Sequence, residues 1–393
     1  MRYRESVSIV IPAYNCQRFI RETLLCLLNQ ELTPLEIIVV DDGSTDETYE
    51  ICQVLAQSNN IIKVYRNKEN CGPAKTRNRG VEIASGEWVL FMDGDDLAEP
   101  ALLEKELNRI DEYQRERAER IILVHSAYKQ IDEDGLELPG IHRWQQVKSR
   151  EILGYLFVRN PIISTSGVLV RREYFLRTGG FDPTLRHSED WELWLRLAKL
   201  GGFAYLDEPL VKIRRHKSNT SGKVRLMLES ERKVLRRYDF NIIKEAIMQR
   251  DLAWEKNMAD LVSILYRLQK WEEGAVAAGQ IIEQKPAYAM GYFLCGLYHL
   301  HKEQWHEAQG FFEECIRFDS RNGAALNNLG ALYGMNGARE KAIRVLSKVL
   351  ELYPGYLDAK TNFQEIMNKG GIEATEARFT WRELRPVLLS YTE

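Results

Sequence analysis

Apolar residues in the first part of the chain, to about position 210, follow two alternating rhythms. The β-branched runs "VSIVIPAY" and "LEIIVVDDG", each ended by turn residues, predict strands, as do "IIKVYRN" and "WVLFMD". Between them "CQRFIRETLLCLLNQ", "STDETYEICQVLAQ" and "PAKTRNRGVEIA" space apolar residues as helices do, and "PALLEKELNRIDEYQRERAE" predicts a long helix with a polar face. Ser44 or Thr45, with Glu47 following, predicts an N-cap for the second helix. This alternation predicts an α/β fold, a mostly parallel sheet flanked by helices, whose ligands bind beyond the carboxyl ends of the strands. After about residue 120 the rhythm loosens: "RIILVHSAYKQID", "SGVLVRRE" and "FAYLDEPLVKIRRH" predict strands, and "SEDWELWLRLAKLG" an amphipathic helix.

The last third is helical throughout and repeats itself. Gly296 and Gly330, like Ala308 and Ala342, are separated by 34 residues. "LNNLGALYGMNGAREKAIRVLSKVLELYP" and "YFLCGLYHLHKEQWHEAQGFFEECIRFDS" carry the period, and "MADLVSILYRLQKWEEGAVAAGQIIEQKP" carries a weaker copy with Val262 and Gly274 at the small-residue positions. Period and pattern resemble the tetratricopeptide repeat. That resemblance implies an all-α domain of about three units (255–288, 289–322, 323–356) with a capping helix from Tyr356 to Asn368. Stacked units of this kind form a groove for an extended peptide or protein; a rigid spacer or dimer interface is the plainer alternative.

Composition removes several classes of function. The 393 residues carry a net charge of −3, so no global field draws nucleic acid or membrane to the chain. None of the six cysteines forms a Cys-x-x-Cys pair, which fits a reducing cytosol better than a disulfide framework or structural zinc. The apolar run Val7 to Ile11 is too short for a signal core, and no stretch reaches membrane-spanning length. Positive charge does gather from Arg214 to Arg237, opposed by Glu229 and Glu231. The expectation is a cytoplasmic protein with at most peripheral contact at the inner face of a membrane.

The candidate chemistry sits where strands end. No Gly-x-Gly-x-x-Gly follows the first strand and no P-loop occurs, so this sheet holds its ligand without a glycine cradle. Asp93-Gly94-Asp95 ends the run Trp88 to Met92 and offers hard oxygen ligands suited to Mg²⁺ or Mn²⁺, while Gly94 lets a diphosphate approach the backbone. Carboxylates so placed are expected to be hydrated.

"VSIVIPAYN", "EIIVVDDGSTDET", "NCGPAKTRNRG", "GEWVLFMDGDD" and "SEDWELWLRL", in this order, resemble the inverting glycosyltransferases of family two, which have the GT-A fold. The resemblance implies a nucleotide site of Pro12, Ala13 and Tyr14 against base and ribose. Asp41 accepts a hydrogen bond from the base, and Asp42 supports that turn. Arg77 binds base or diphosphate, Asp93 binds ribose or nucleotide and shares the metal, and Asp95 binds the metal. Asp96 is expected to bond locally or cap the next helix. Asp190 is implied to be the general base that takes the proton of the acceptor hydroxyl, with Glu189 orienting acceptor or base. The late basic segment, with Arg215 and His216, is implied to meet the diphosphate, and His216 to complete the metal shell; Ser218 to Gly222 is expected to be a mobile loop over the donor.

The expected organisation is a GT-A domain over 1–222, a helical linker over 223–254, a tetratricopeptide domain over 255–368 and a tail over 369–393. Phe379, Trp381, Leu384, Val387 and Leu388 of the tail are expected to dock on the last repeat or on a second subunit. The expected activity is metal-dependent inverting transfer from a nucleoside diphosphate sugar, a UDP-sugar favoured, to a hydroxyl of a protein, peptide or cell-envelope glycan. The repeats would recruit acceptor, partner or a homodimer mate. A catalytically inert scaffold acting as a protein-interaction module is the alternative; it predicts broken motifs, whereas the Asp-x-Asp and Glu-Asp pairs are intact.

Overall fold

The computed structural model describes residues 6–117, 119–216 and 224–382. The expected loop Ser218 to Gly222 and the tail residues Leu384, Val387 and Leu388 lie outside the described residues. Two compact units divide after Arg250.

The first unit is built on an eight-stranded sheet in the order β3-β2-β1-β4-β7-β6-β8-β5. Its strands are β1 (Val7–Ala13), β2 (Glu36–Asp41), β3 (Ile62–Arg66), β4 (Trp88–Phe91), β5 (Leu97–Ala98), β6 (Ile121–Ile131), β7 (Val168–Arg171) and β8 (Gly202–Arg214). β1 and β2 are buried almost end to end, because helices cover both faces of a parallel sheet. The sheet is more mixed than the pattern predicts. β3, β2, β1 and β4 are parallel, but β7 runs antiparallel to both β4 and β6, and β5 antiparallel to β8. Short apolar runs carry no direction, so only the tertiary pairing distinguishes the two cases.

Helices α1 (Ile20–Leu28), α2 (Thr48–Ser58), α3 (Pro73–Ile83) and α4 (Leu102–Arg117) follow the predicted periodicity. The irregular stretch adds α5 (Ser149–Val158) and α6 (Arg172–Thr178) before α7 (Glu189–Leu197). The predicted cap of α2 is not made: its N-cap is Glu47, without a side-chain bond. Ser44 Oγ instead accepts the N–H of Asn15 at 3.0 Å, so a contact between two loops takes the oxygen that a local cap would have used. Helices α8 (Val224–Leu235) and α9 (Phe240–Met248) belong to this first unit, α9 packing on α5. At Gly154 a Cβ would meet the Ala246 carbonyl oxygen at 2.1 Å, so that packing requires a glycine. Part of the basic stretch is internally paired, since Arg237 bonds Asp182 and Glu192.

The second unit is a series of helix pairs: α10 (Trp254–Arg267) with α11 (Trp271–Gln284), α12 (Ala289–His301) with α13 (Trp305–Phe318), and α14 (Gly323–Met335) with α15 (Arg339–Leu352), closed by α16 (Leu357–Lys369). The second helices open at Trp271, Trp305 and Arg339, each 34 residues after the last. The small residues of the repeat have a packing cause. A Cβ at Gly296 would meet the Phe312 ring at 2.6 Å, and one at Gly330 would meet Leu346 Cγ at 2.6 Å, so each pair closes on a glycine.

Candidate active site

The parallel register sets Ala13, Asp41 and Arg66 side by side at the carboxyl ends of β1, β2 and β3. Asp41 is fully buried. Its Oδ2 accepts from Ser44 N at 3.2 Å and pairs with Arg66 Nε at 3.0 Å, while Oδ1 is buried with no hydrogen-bond partner. A buried orphan acceptor marks a place where a donor belongs. Arg66, which also bonds Ser44 O and lies over Tyr49, carries no signal in the sequence beyond its place at a strand end. Pro12 is half-buried, and Tyr14 is 48% exposed beside them. Asp42 does build its turn. Burial pushes its carboxyl up, but hydrogen bonds from Asn67, Cys71 and Gly72 prevail and hold it below the usual carboxylate range. Both its oxygens are thereby taken up by the loop leading into α3.

Across the switch point, where β4 joins β1 on the side opposite β2, stands the acidic cluster. The expectation of hydrated carboxylates gives way here to protein cations and burial. Asp93 Oδ1 accepts from Arg77 at 2.6 Å, and the buried Arg77 also reaches Glu189 at 3.4 Å and lies over the Phe181 ring. Asp95 Oδ2 is 2.7 Å from His216 Nε2. The Asp96 N–H donates to Asp93 O at 3.3 Å, but its carboxyl neither bonds locally nor caps a helix, because β5 follows it directly. It is buried, accepting from Arg214 N at 2.8 Å and from Ser166 Oγ. Burial, then Asp95 and Asp93, pushes its carboxyl well up; burial and Asp93 raise Asp95, against His216.

Arg214, read from sequence only as one of a basic run, is a buried strut. Its guanidinium donates to the carbonyls of Asp95, Asp132 and Glu133 and to the Glu22 carboxylate, under the Phe19 ring that stacks on His216. Arg215 bonds Ile131 O through its backbone and, with the Gln130 amide turned to accept, its guanidinium meets Gln130 at 2.6 Å. Gly94 also has a packing cause. A Cβ there would meet Cys16 Sγ at 2.9 Å and Ile20 Cδ1 at 3.2 Å, so the absent side chain makes room for the β1–α1 loop.

Asp190 lies in the first turn of α7, whose N-cap Ser188 has φ 62°. Its Oδ2 accepts from Asn160 Nδ2 at 3.0 Å; Asn160, just beyond α5, was not legible as a site residue. Trp191 Nε1 donates to Leu156 O at 2.7 Å and so fixes α7 on α5. Burial, then the neighbouring Glu189 carboxylate, raises Asp190 to about 7, against the Trp191 N–H, Arg77 and Asn160. Arg77 bridges Asp93 and Glu189 by ion pairs, and Glu189 directly precedes the base candidate in the chain.

Among the described residues no group of three or more His, Cys, Asp or Glu side chains is arranged to hold a metal ion. Asp95 and His216 bond to one another, and Asp93 is turned to Arg77. These two would hold a divalent cation by exchanging their mutual hydrogen bond for bonds to the ion, with diphosphate oxygens and water completing the shell, as a magnesium-like ion favours. It would also relieve the crowding of carboxylates that raises Asp95.

Fold and site together define an α/β transferase of the GT-A type. Residues 8–179 match the family described as Glycosyl transferase family 2. Over 215 residues the chain is 33% identical to the putative teichuronic acid biosynthesis glycosyltransferase TuaG of Bacillus subtilis (strain 168), covering 54% of this chain and 80% of that one. It is 29% identical over 216 residues to an uncharacterized glycosyltransferase of Haemophilus influenzae, covering 55% and 67%. Among solved structures, S. aureus TarS 1–349 in complex with UDP-GlcNAc aligns with TM-score 0.49 at 20% identity, covering 93% of this chain and 92% of that one. The chain belongs to glycosyl transferase family 2. Among the described residues no helix is long and apolar enough to cross a membrane.

Proposed function

We propose that the first unit transfers a sugar, with inversion, from a nucleoside diphosphate sugar to an acceptor hydroxyl, with Asp190 as general base. The observation that carries this is the state of Asp190: a carboxyl raised to about 7, held by Asn160 at the start of α7. A base with that affinity accepts the proton of a hydroxyl as its oxygen bonds to carbon, and is half ionised near neutral pH. Arg77 holds Glu189 and Asp93 in fixed places beside it.

A UDP-sugar is the favoured donor. The orphan Oδ1 of Asp41 suits the N3–H of uracil and repels a base edge that offers only acceptors. The oxygen is buried, so a base reaches it only as the surrounding loop yields. Asp95 and His216 would hold Mn²⁺ or Mg²⁺, and that ion supplies charge stabilisation to the leaving diphosphate. The acceptor is a hydroxyl of a cell-envelope glycan or of a protein. The putative role of the Bacillus relative in teichuronic acid biosynthesis supports the glycan, and the helix pairs, read as tetratricopeptide repeats, support recruitment of a polypeptide. Six free cysteines suit a cytoplasmic setting.

The test is a screen of nucleotide sugars for hydrolysis or transfer, with Mn²⁺, with Mg²⁺ and with EDTA. UDP-sugar turnover that chelation abolishes is the expected result; full turnover in EDTA removes the metal, and preference for a non-uridine donor removes the role given to Asp41.

A further inference from the structure

Residues Arg378 to Trp381, beyond the last helix, do not merely pack on the repeat unit. They are read by it as a peptide. Asn362 Oδ1 accepts the Arg378 N–H at 2.8 Å, while Asn327 and Asn362 both donate to the Arg378 carbonyl at 2.9 Å. Two residues on, Asn328 repeats the grip: its Oδ1 accepts the Thr380 N–H at 2.6 Å and its Nδ2 donates to the Thr380 carbonyl at 2.9 Å. An amide side chain is both donor and acceptor, so it pairs with a backbone as another strand would. All three asparagines are buried, on α14 and α16, the first helix of a pair and the closing helix.

Side chains are read in the same four residues. The Thr380 hydroxyl meets Asn327 Nδ2 at 3.0 Å and the Tyr356 hydroxyl. Phe379 stacks on Trp305, the opening residue of α13, with ring centroids 6.0 Å apart. Trp381 stands edge-on to Trp271, the opening residue of α11, which is itself sandwiched between Tyr266 and His301. The segment thus crosses three helix pairs in the reverse of chain order. It is unevenly held: Thr380 is buried but Trp381 is 46% exposed.

We propose that this groove is a peptide-binding site whose resident occupant is the chain's own segment 378–381, an internal competitor. Its external ligand is an extended segment of a partner protein with the form aromatic–Ser/Thr–aromatic, which must displace the resident. Backbone bonds to the asparagines supply affinity without regard to sequence; the hydroxyl and the two rings supply selection. The resident acts at the high effective concentration of a tethered ligand, so the groove stays closed to weak ligands. The inference rests on reading the repeats as a recruiting site, and sugar transfer enters neither measurement below, so each can fail without the other.

The probe is a fluorescein-labelled peptide of the sequence Glu376 to Arg382, titrated into the full chain and into the full chain carrying Phe379→Ala and Trp381→Ala. Saturable anisotropy is expected with the double variant, and at least about tenfold weaker binding with the unaltered chain. N-methylation of the peptide's Thr amide, which removes the proton that Asn328 accepts, should cost a further tenfold or more. A double variant that keeps its helical circular dichroism and cooperative melting, yet leaves the probe unbound, overturns the proposal. Hydrogen exchange on the unaltered chain decides independently of folding of the variant. A Thr380 amide that exchanges well before the α14 amides supports a displaceable segment; one that exchanges only with them makes it a permanent part of the fold.

Discussion

The buried Arg77 guanidinium lies 2.6 Å from the Asp93 carboxylate, at the strand end where the acidic cluster begins. It joins that cluster to Glu189 and so to the base candidate. Removing it leaves two carboxylates facing each other in a partly desolvated site. Arg77→Gln should cost about 3 kcal/mol, the low end for a broken buried pair because the Asp93 side chain keeps 30% exposure. Thermal unfolding reads the loss, and UDP binding should weaken in parallel; an unchanged midpoint would show that the pair contributes nothing.

Asp190→Asn should lower kcat by about 100- to 10,000-fold while leaving UDP affinity intact, since an amide fills the same space but accepts no proton. The pH dependence has a definite sign. A carboxyl raised to about 7 is neutral below that pH and ionised above it, so kcat/KM should climb through about pH 7 and level off. Residual turnover of the Asn variant should lack this limb. Steady-state rates across pH 5.5 to about 9, in both forms, check it.

His216→Ala should weaken Mn²⁺ binding in the presence of UDP by about 10- to 100-fold, because one of the two proposed protein ligands is gone. Calorimetric titration of the ion reads this without any turnover. Equal affinity in the two proteins would take His216 out of the metal site.

Asp41→Asn tests base recognition. The substitution turns an acceptor-only group into one that also donates, so UDP should bind about tenfold more weakly and the preference for UDP over CDP should shrink. Competition binding with the two nucleotides measures the ratio.

In the repeats, Gly330→Ala should destabilise by about 1–2 kcal/mol although Ala is the better helix former, because its Cβ meets Leu346 Cγ at 2.6 Å. Gly279→Ala, on α11 with nothing within 4 Å, should instead stabilise by about 0.5–1 kcal/mol. Urea unfolding of the two variants separates packing from propensity.

The sequence by itself determined most of the elements and their punctuation. Buried strands read as β-branched runs, and helices as repeats of the 3.6-residue period. The 34-residue offset located helix pairs whose packing leaves no room for a Cβ at Gly296 and Gly330. It also placed Asp41, Asp93, Asp95 and Asp190 near the ends of elements where ligands meet α/β sheets. Tertiary structure alone decided strand direction, which put β7 antiparallel beside β4, and the partners of each charge. Arg66 carried no signal beyond its place at a strand end, Arg214 read as one of a basic run, and Asp96 as a local bond or a cap. Each is bound to residues far along the chain, such as Ser166 and Glu22, and no local pattern encodes such a meeting. The same holds for Asn160 at Asp190 and for Asn327, Asn328 and Asn362 at the tail. An asparagine's role depends on which backbone or carboxylate the fold brings to its amide, and the fold settles that only when the whole chain has packed.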